Sequence, residues 1–252
     1  MSTAEKFDAI ASEYEAGQAG RLDLARVRTL LRPRREDLAL DVATGTGAIA
    51  RAFAADVRAV VGVDVSAGML EAAAAAFARE GAPPAVLMQA DAGRLPVATA
   101  CFDIVTCSRA IHHMAAPREA LAEMFRVSAP GARLLVVDST TYEEEEWARL
   151  HNDLERLRDP SHARGLGSTE LREMVTATGF RIEWSGLEES SRSLRVWLDD
   201  VAAGSDEAEA VSRWIAAARS SSPDFCDAHF VEADGEPAFR YRLTWILARK
   251  EG

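Results

Sequence analysis

The residues best suited to chemistry lie around a turn that contains Gly45 and Gly47. The turn follows the apolar run of residues 38–42, which is typical of a short buried strand, and it precedes a helical pattern that begins at Ala48. Glycine lets the backbone turn sharply and lets a ligand approach main-chain atoms. The helix would direct its free N–H groups at whatever lies in the turn. Strand, turn and helix together predict a binding site for a nucleotide-like cofactor.

Acidic residues at the ends of three predicted strands narrow the choice of cofactor. Residues 45–50 fit the dinucleotide fingerprint G-x-G-x-x-G/A, and Asp64 is placed to accept hydrogen bonds from two ribose hydroxyls. Asp41, before the glycines, would repel a pyrophosphate but attract an ammonium or sulfonium group. Asp91 is placed to accept from an exocyclic amine such as that of adenine. The carboxylates favour a cationic, ribose-containing cofactor over NAD, while a ligand-free turn and a helix-start role for Asp64 stay open.

Histidines supply the candidate general bases, because their free pKa lies near neutrality. His112 and His113 follow the fourth predicted strand, at the lip of the expected site, although either could instead cap the next helix or bind backbone. His162 lies in a loop that it could instead brace, and His151 and His229 are expected at the surface. No pair of His, Cys and acidic residues has metal-binding spacing, so no metal is expected.

Composition limits the class of protein and its partners. The chain has 252 residues, which is compatible with one large α/β domain or with a domain plus a small appendage, and 48% of them are hydrophobic, as expected for a sizeable core. A net charge of −11 and a pI of about 5.0 argue against DNA or RNA as the main partner. Three cysteines without metal spacing favour a reducing, cytoplasmic location. We expect neither a signal peptide nor a membrane span, and so no membrane partner.

Strand and helix patterns alternate along the first half of the chain, which predicts a doubly wound, Rossmann-like α/β sheet. The predicted strands cover residues 38–42, 59–64, 85–90, 102–107, 132–138, 180–186 and 239–248. The predicted helices cover residues 5–31 with a break between Gly17 and Gly20, then 48–54, 66–80, 117–127, 143–158, 168–179 and 194–219, followed by a loop at 220–223. Early alternation in the last strand suggests that it is half-exposed and antiparallel. The single domain of residues 1–252 divides into a helical cover (1–33), a cofactor-binding core (38–138) and acceptor-side helices and strands (139–252).

Four segments of the core, in this order and spacing, resemble the class I S-adenosylmethionine-dependent methyltransferases, and most closely the ubiquinone/menaquinone-biosynthesis-like branch that acts on small molecules. The segments are DVATGTG, VVGVDVSAGML, QADAGRLPVATACFDIVTCSRAIHH and SAPGARLLVVD. A further segment, residues 152–180, resembles a pattern found in a subset of these enzymes. The resemblance implies a seven-stranded sheet of order 3-2-1-4-5-7-6 whose last strand is antiparallel, with a helical N-terminal cover and a C-terminal helical insertion.

The same resemblance assigns the cofactor contacts. Asp41 would orient the ammonium end of S-adenosylmethionine, Asp64 would hold the ribose hydroxyls, and Asp91 would accept from the adenine amine. The remaining contacts are the backbone of Ala43, Gly45 and Gly47 beside the methionine part and ribose, Val65 and Met69 on the adenine, the Ala92 N–H on a ring nitrogen, Ser108 by the methionine moiety, and Tyr14 in the N-terminal cover.

On the acceptor side the resemblance places the loop of His162 and Arg164 near the substrate. Arg164 could bind an acidic acceptor or pair with a nearby carboxylate, and Trp197 could line an acceptor pocket or belong to a packed helix face. The expected function is methyl transfer to a small-molecule acceptor, with His113, His162 or His112 as base and S-adenosylhomocysteine as product. The alternatives are an NAD(P)-dependent oxidoreductase and a protein of this fold that binds the cofactor without methyl transfer. A monomer or a homodimer is expected.

Overall fold

The computed structural model describes residues 3–18, 22–199, 204–233 and 235–251. Its helices are α1 (Thr3–Gln18), α2 (Leu24–Leu31), α3 (Ala48–Phe53), α4 (Ala67–Glu80), α5 (Pro117–Val127), α6 (Glu145–Arg158), α7 (Ser168–Ala177), α8 (Leu194–Asp199), α9 (Ser205–Ser221) and α10 (Pro223–His229), with short 3-10 turns at Ala54–Asp56 and Ile111–His113. Its strands are β1 (Leu38–Val42), β2 (Ala59–Asp64), β3 (Val86–Gln89), β4 (Phe102–Ser108), β5 (Ser128–Thr141), β6 (Leu166–Gly167), β7 (Phe180–Ser193), β8 (Phe230–Ala233) and β9 (Glu236–Lys250).

The strands form one mixed sheet with the order β3-β2-β1-β4-β5-β9-β7. β1 to β5 run parallel, whereas β9 pairs antiparallel with both β5 and β7. The short strands β6 and β8 add to β5 and β9. With these two set aside, the order is the predicted 3-2-1-4-5-7-6 with an antiparallel last strand, so the expected fold is confirmed.

Several predicted boundaries were wrong, chiefly in the second half. β7 and β9 are longer than predicted because their antiparallel pairing continues as far as Ser193 opposite Ala238. β5 is longer because it also pairs with β4 at Ser128 and with β6 at Thr140 and Thr141. The predicted helix 194–219 is two helices, α8 and α9, and residues 200–203 lie outside the described part. Helix α1 continues through Gly17, where a break was expected, and Gly20 lies outside the described residues. The predicted loop 220–223 is reduced to Ser222, and Pro223 then begins α10 at a position where its missing N–H costs no hydrogen bond.

Apolar side chains cover both faces of the sheet. α2, α3 and α6 and the C-terminal helices pack on one face, and α5 and α7 pack on the other. Trp197 belongs to the first layer: it is fully buried, stacks on Phe239 with ring centroids 4.3 Å apart, and lies under the Arg158 guanidinium at 4.6 Å. The structure therefore favours the packed-face interpretation of Trp197 and contradicts its assignment to an acceptor-pocket wall.

The carboxyl ends of β1, β2, β3 and β4 lie side by side at one edge of the sheet, because these strands are parallel and in register. Val42 is paired with Val63 and with Cys107, and Asp64 is paired with Gln89. A ligand site is expected at this edge in doubly wound folds. Within the described ranges, no helix is long and apolar enough to cross a membrane.

Candidate active site

The turn between β1 and α3 has three residues in the left-handed backbone region: Ala43 at φ +53°, Gly45 at +54° and Gly47 at +78°. A Cβ added to Gly45 would meet nothing within 4 Å, whereas one added to Gly47 would lie 3.0 Å from the ring of Phe77. The two glycines therefore have different tasks. Gly47 permits close packing of α3 on α4, and Gly45 leaves open space on the ligand side of the turn.

Asp41, the penultimate residue of β1, is a buried carboxylate that accepts hydrogen bonds from two hydroxyls. Thr106 Oγ1 donates to its Oδ1 at 2.6 Å, and Thr44 Oγ1 donates to its Oδ2 at 2.7 Å. Burial raises the pKa of Asp41 to about 6; the two hydrogen bonds oppose this shift and the charge of Asp64 adds to it. A cation in the neighbouring space would relieve this penalty, because it would favour the ionised carboxylate.

Asp64 ends β2 and braces the turn. Its Oδ2 accepts from the Gly45 N–H at 2.8 Å, and its Oδ1 accepts from the Ser66 N–H at 2.9 Å. Burial raises its pKa, and the backbone hydrogen bonds oppose this shift. Ser66, whose Oγ accepts from the Met69 N–H at 3.0 Å, is the N-cap of α4 as predicted. The helix-start role of Asp64 is therefore real, and its carboxylate also lines the ligand space described next.

A cavity of about 950 Å³ lies at the carboxyl ends of β1 to β4. It brings together eleven of the predicted residues: Tyr14, Asp41, Ala43, Gly45, Asp64, Val65, Met69, Asp91, Ala92, Ser108 and His113. Gly47 lies between the lining residues Thr46 and Ala48 but is not itself part of the wall. The Ser108 hydroxyl is buried and has no hydrogen-bond partner in the described part of the chain. An orphaned polar atom of this kind is expected where a ligand completes the site.

Helix α1 covers the cavity and is tied to α4. Asp8 Oδ1 accepts from Ser66 Oγ at 2.6 Å and from the Gly68 N–H at 2.9 Å. Phe7 packs edge-on against Tyr14 and against His113, with ring centroids 5.9 and 5.1 Å apart. The predicted N-terminal cover thus reaches both the cofactor side and the histidine side of the cavity. Its anchor, Asp8, was not predicted, because nothing local pairs it with a residue almost sixty positions away.

His112 and His113 point to different surroundings. His112 Nδ1 lies 2.8 Å from Asp138 Oδ1, and the Asp138 charge and hydrogen bond outweigh burial, so the pKa of His112 is raised. Its carbonyl accepts from the N–H groups of Ala163 and Arg164, both at 3.0 Å. His112 does not line the cavity. The structure therefore shows the alternative given for His112, a contact with backbone groups, rather than a position at the cavity.

His113 lines the cavity, and its Nδ1 lies 3.2 Å from the carbonyl oxygen of Ser161. The same Nδ1 lies 3.2 Å from Ser161 Oγ, whose hydroxyl donates to Asp159 Oδ1 at 2.7 Å. Both Ser161 oxygens therefore accept, which places the proton on Nδ1 and leaves the Nε2 lone pair without a partner among the described residues. Burial, and then the charge of His112, lower the pKa of His113 to about 4. The side chain is therefore a neutral hydrogen-bond acceptor at physiological pH.

His162 braces its loop. Its Nε2 lies 2.9 Å from Asn152 Oδ1 and 3.0 Å from the Gly165 N–H, and burial lowers its pKa to about 2. It is not part of the cavity wall, although its ring lies 6.4 Å from that of His113. The contacts of His162 therefore fit the alternative given in the sequence analysis, in which this histidine braces its loop.

Comparison with known proteins identifies the family. Residues 40–136 match the family model described as "Methyltransferase domain". Over 201 residues the chain is 30% identical to a demethylmenaquinone methyltransferase of Corynebacterium urealyticum. The alignment covers 76% of this chain and 83% of that protein. The chain belongs to the class I S-adenosylmethionine-dependent methyltransferases.

Other members of the family share the fold or the core. A protein of Bacillus halodurans whose structure was solved as a candidate methyltransferase is 29% identical, with a TM-score of 0.84 over 91% of this chain and 99% of that one. The uncharacterized methyltransferase YcgJ of Bacillus subtilis is 36% identical over 144 residues. The chain spans only 57% of the length of YcgJ and of a demethylmenaquinone methyltransferase from Clavibacter sepedonicus in those alignments.

Two further predictions about this member of the family need correction. His151 and His229 were expected at the surface, but both are buried. His151 Nδ1 lies 3.3 Å from His229 Nε2, and His229 Nδ1 lies 2.9 Å from the Tyr142 hydroxyl. Their burial follows from the packing of α6 against α10, an element that the sequence pattern did not predict. Arg164 pairs with Glu170 in two hydrogen bonds and lines a separate cavity of about 410 Å³, so it does not face the 950 Å³ cavity.

The cavity wall also holds residues that were not predicted, among them Phe7, Arg109 and Met114. Arg109 directly follows Ser108 in the printed motif, and its left-handed φ of +50° could not be inferred from residue types. No group of three or more His, Cys, Asp or Glu residues suited to a metal ion occurs in the ranges that the structure describes.

Proposed function

We propose that this protein binds S-adenosylmethionine in the 950 Å³ cavity and transfers its methyl group to a small-molecule acceptor, with S-adenosylhomocysteine as product. The observation that carries the proposal is the juxtaposition of three carboxylates with the open left-handed turn at one sheet edge. Asp41, Asp64 and Asp91 all line the same space as Gly45.

The chemistry of these residues fits that cofactor. Asp41, whose ionised form is penalised by burial, would be paired with the ammonium end. Asp64 would accept from the ribose hydroxyls and Asp91 from the adenine amine. The unpartnered Ser108 hydroxyl would gain a partner in the methionine moiety. Four further predicted residues line the same cavity. The adenine would contact Val65, Met69 and Ala92, and Tyr14 would cover the cofactor from helix α1.

S-adenosylmethionine supplies a methyl group activated by the attached sulfonium sulfur. The chain's own residues then have three tasks: orientation, exclusion of water, and handling of the acceptor's proton. Asp41 and Ser108 would orient the methyl donor, and helix α1 with Phe7 would close the cavity to solvent. His113 would accept a hydrogen bond from the acceptor at Nε2 and would serve as base for an acceptor that enters protonated. His112 and His162 would position the loop that holds Ser161 against His113.

An apolar, ring-containing acceptor is supported by the cavity wall and by the relatives. Phe7, Leu22, Leu24, Ile49 and Met114 contribute apolar lining. Several relatives bear the names demethylmenaquinone methyltransferase or ubiquinone/menaquinone biosynthesis C-methyltransferase. We therefore propose a quinone-like or similar aromatic small molecule as the acceptor class.

Cytoplasmic location and assembly complete the proposal. Three free cysteines support a reducing compartment. The net charge of −11 supports the prediction that nucleic acid is not a partner. A monomer or homodimer stays the prediction, to be checked by light scattering on the purified protein.

Calorimetric titration with S-adenosylhomocysteine, S-adenosylmethionine and NADH tests the cofactor. Micromolar binding of the first two without NADH is expected, whereas binding of NADH instead would favour the oxidoreductase alternative. Incubation of a small-molecule extract with S-adenosylmethionine carrying a trideuterated methyl group then tests transfer by mass spectrometry. Binding of the cofactor with no labelled product from any extract would favour the alternative without methyl transfer.

A further inference from the structure

Arg109 is held at the acceptor side of the cavity by its backbone. It follows Ser108 at the end of β4, its N–H donates to the Val137 carbonyl at 2.7 Å, and its φ is +50°. A left-handed backbone costs a non-glycine residue stability, and such strain is concentrated at functional sites. The main-chain hydrogen bond to β5 fixes where the guanidinium begins, at the edge where β4 and β5 end.

The guanidinium of Arg109 has no ion pair and no side-chain hydrogen bond to any part of the chain that the structure describes. Its Nε is buried without a partner. Other buried or half-buried arginines are paired, as Arg133 is with Asp37 and Arg158 with Glu155. A buried donor without a partner costs free energy, and the cost is recovered when a ligand supplies an acceptor.

The strand ends present different groups to the cavity, whose wall also includes the charged residues Arg51, Arg79, Glu80 and Glu119. The ends of β1, β2 and β3 carry Asp41, Asp64 and Asp91. The end of β4 carries the Ser108 hydroxyl and the Arg109 guanidinium, which have no side-chain partner among the residues that the structure describes. The three carboxylates would bind the cationic and hydrogen-bond-donating groups of the cofactor. At the end of β4, the Ser108 hydroxyl and the Arg109 guanidinium are hydrogen-bond donors, and a guanidinium binds an anionic oxygen more strongly than a neutral one.

We propose that the acceptor carries an ionised oxygen, a carboxylate or a phenolate, which binds Arg109 while the apolar part of the acceptor packs against Phe7, Leu24 and Met114. The inference rests on the proposed function, which it deepens by naming the charge of the substrate. An acceptor that is already ionised also suits a cavity in which the only lining histidine among the described residues, His113, is neutral and weakly basic.

The test compares acids with amides of nearly the same shape. Protein saturated with S-adenosylhomocysteine is titrated with 2-naphthoate and 2-naphthamide, and with benzoate and benzamide. At least one acid is expected to bind about tenfold more tightly than its amide, as one charge-assisted hydrogen bond provides. In Arg109→Gly, which suits the left-handed backbone, the preference is expected to fall below about threefold. Arg109→Lys, which keeps the charge, is expected to retain part of it.

Arg118→Gln is the matched control, because Arg118 is an exposed arginine on α5 outside the cavity wall. It removes the same charge and is expected to keep the full preference for the acid. If no acid outbinds its amide on the wild-type protein, if Arg109→Gly keeps the preference, or if Arg118→Gln loses it, the inference is wrong. S-adenosylhomocysteine affinity is measured separately on each variant: failure of the wild type to bind it would overturn the proposed function, whereas intact binding without an acid preference would overturn only the role of Arg109.

Discussion

Replacing Asp41 with asparagine should stabilise the ligand-free protein at neutral and alkaline pH while weakening its hold on the cofactor. In the folded protein the pKa of Asp41 is raised from 3.8 to about 6, chiefly by burial. A rise of roughly two pKa units corresponds to about 3 kcal/mol of destabilisation when the carboxylate is ionised. Asparagine has nearly the same shape and no charge, and Thr44 and Thr106 can turn a hydroxyl to accept from its amide.

The sign of the pH dependence follows from the direction of the shift. A carboxylate whose pKa is higher in the folded state lowers the free energy of unfolding by its full amount above that pKa. This destabilisation disappears as the pH falls towards the pKa of the unfolded state. Between pH 8.0 and 5.0 the native Asp41 takes up most of a proton, which adds about 1.4 kcal/mol to wild-type stability. The advantage of Asp41→Asn over wild type should shrink by that amount, or by roughly 3–5 °C in melting temperature for a chain of this length.

The assay is thermal unfolding of both proteins at several pH values between 5.0 and 8.0, without cofactor. Asp227→Asn serves as the control, because Asp227 is exposed and lies outside the cavity. An advantage of Asp41→Asn that is the same at both ends of the pH range would refute the reasoning. In parallel, wild-type affinity for S-adenosylhomocysteine should fall as pH drops below about 6, and the affinity of Asp41→Asn should be lower and nearly independent of pH.

Three further substitutions separate the roles of the neighbouring residues. Asp64→Ala should weaken cofactor binding by ~1–3 kcal/mol, because ribose hydroxyls lose their charged acceptor, and unchanged calorimetric affinity would remove that assignment. Gly47→Ala should lower the free energy of unfolding by about 1–2 kcal/mol, since its φ of +78° is strained for alanine and its Cβ would meet Phe77 at 3.0 Å; equal stability in urea unfolding would contradict this. His113→Gln should keep S-adenosylhomocysteine affinity and lower kcat. Because His113 is neutral above about pH 4, its titration should produce no rise in the wild-type kcat between pH 6 and 7. A rise in that interval that the variant lacks would show that His113 titrates near neutrality after all.

That the residues around the glycine turn line one cavity could be predicted, because their placement depends on local features. Asp41, Gly45 and Asp64 each lie within a few residues of a strand end, and parallel strands bring such ends to one edge of the sheet. The element types of the first half followed from hydrophobic period and from capping residues such as Ser66, whose hydrogen bond spans three residues. These features depend on backbone preferences that a short stretch of sequence carries by itself.

The surroundings of the histidines and of Trp197 could not be predicted in the same way, because they depend on contacts between distant segments. Ser161 lies 3.2 Å from His113 across 48 positions, His229 contacts His151 across 78, and Phe239 of β9 stacks on Trp197 of α8. Whether an arginine forms an ion pair also depends on the tertiary structure. Arg164 forms an ion pair with Glu170, whereas the Arg109 side chain has no partner in the described part of the chain. The sequence by itself thus determined the fold class, the glycine turn and the acids around it. Only the tertiary structure decided which histidine lines the cavity and that Arg109 has no side-chain partner among the described residues, because burial and pairing are set by side chains that meet only when the whole sheet has formed.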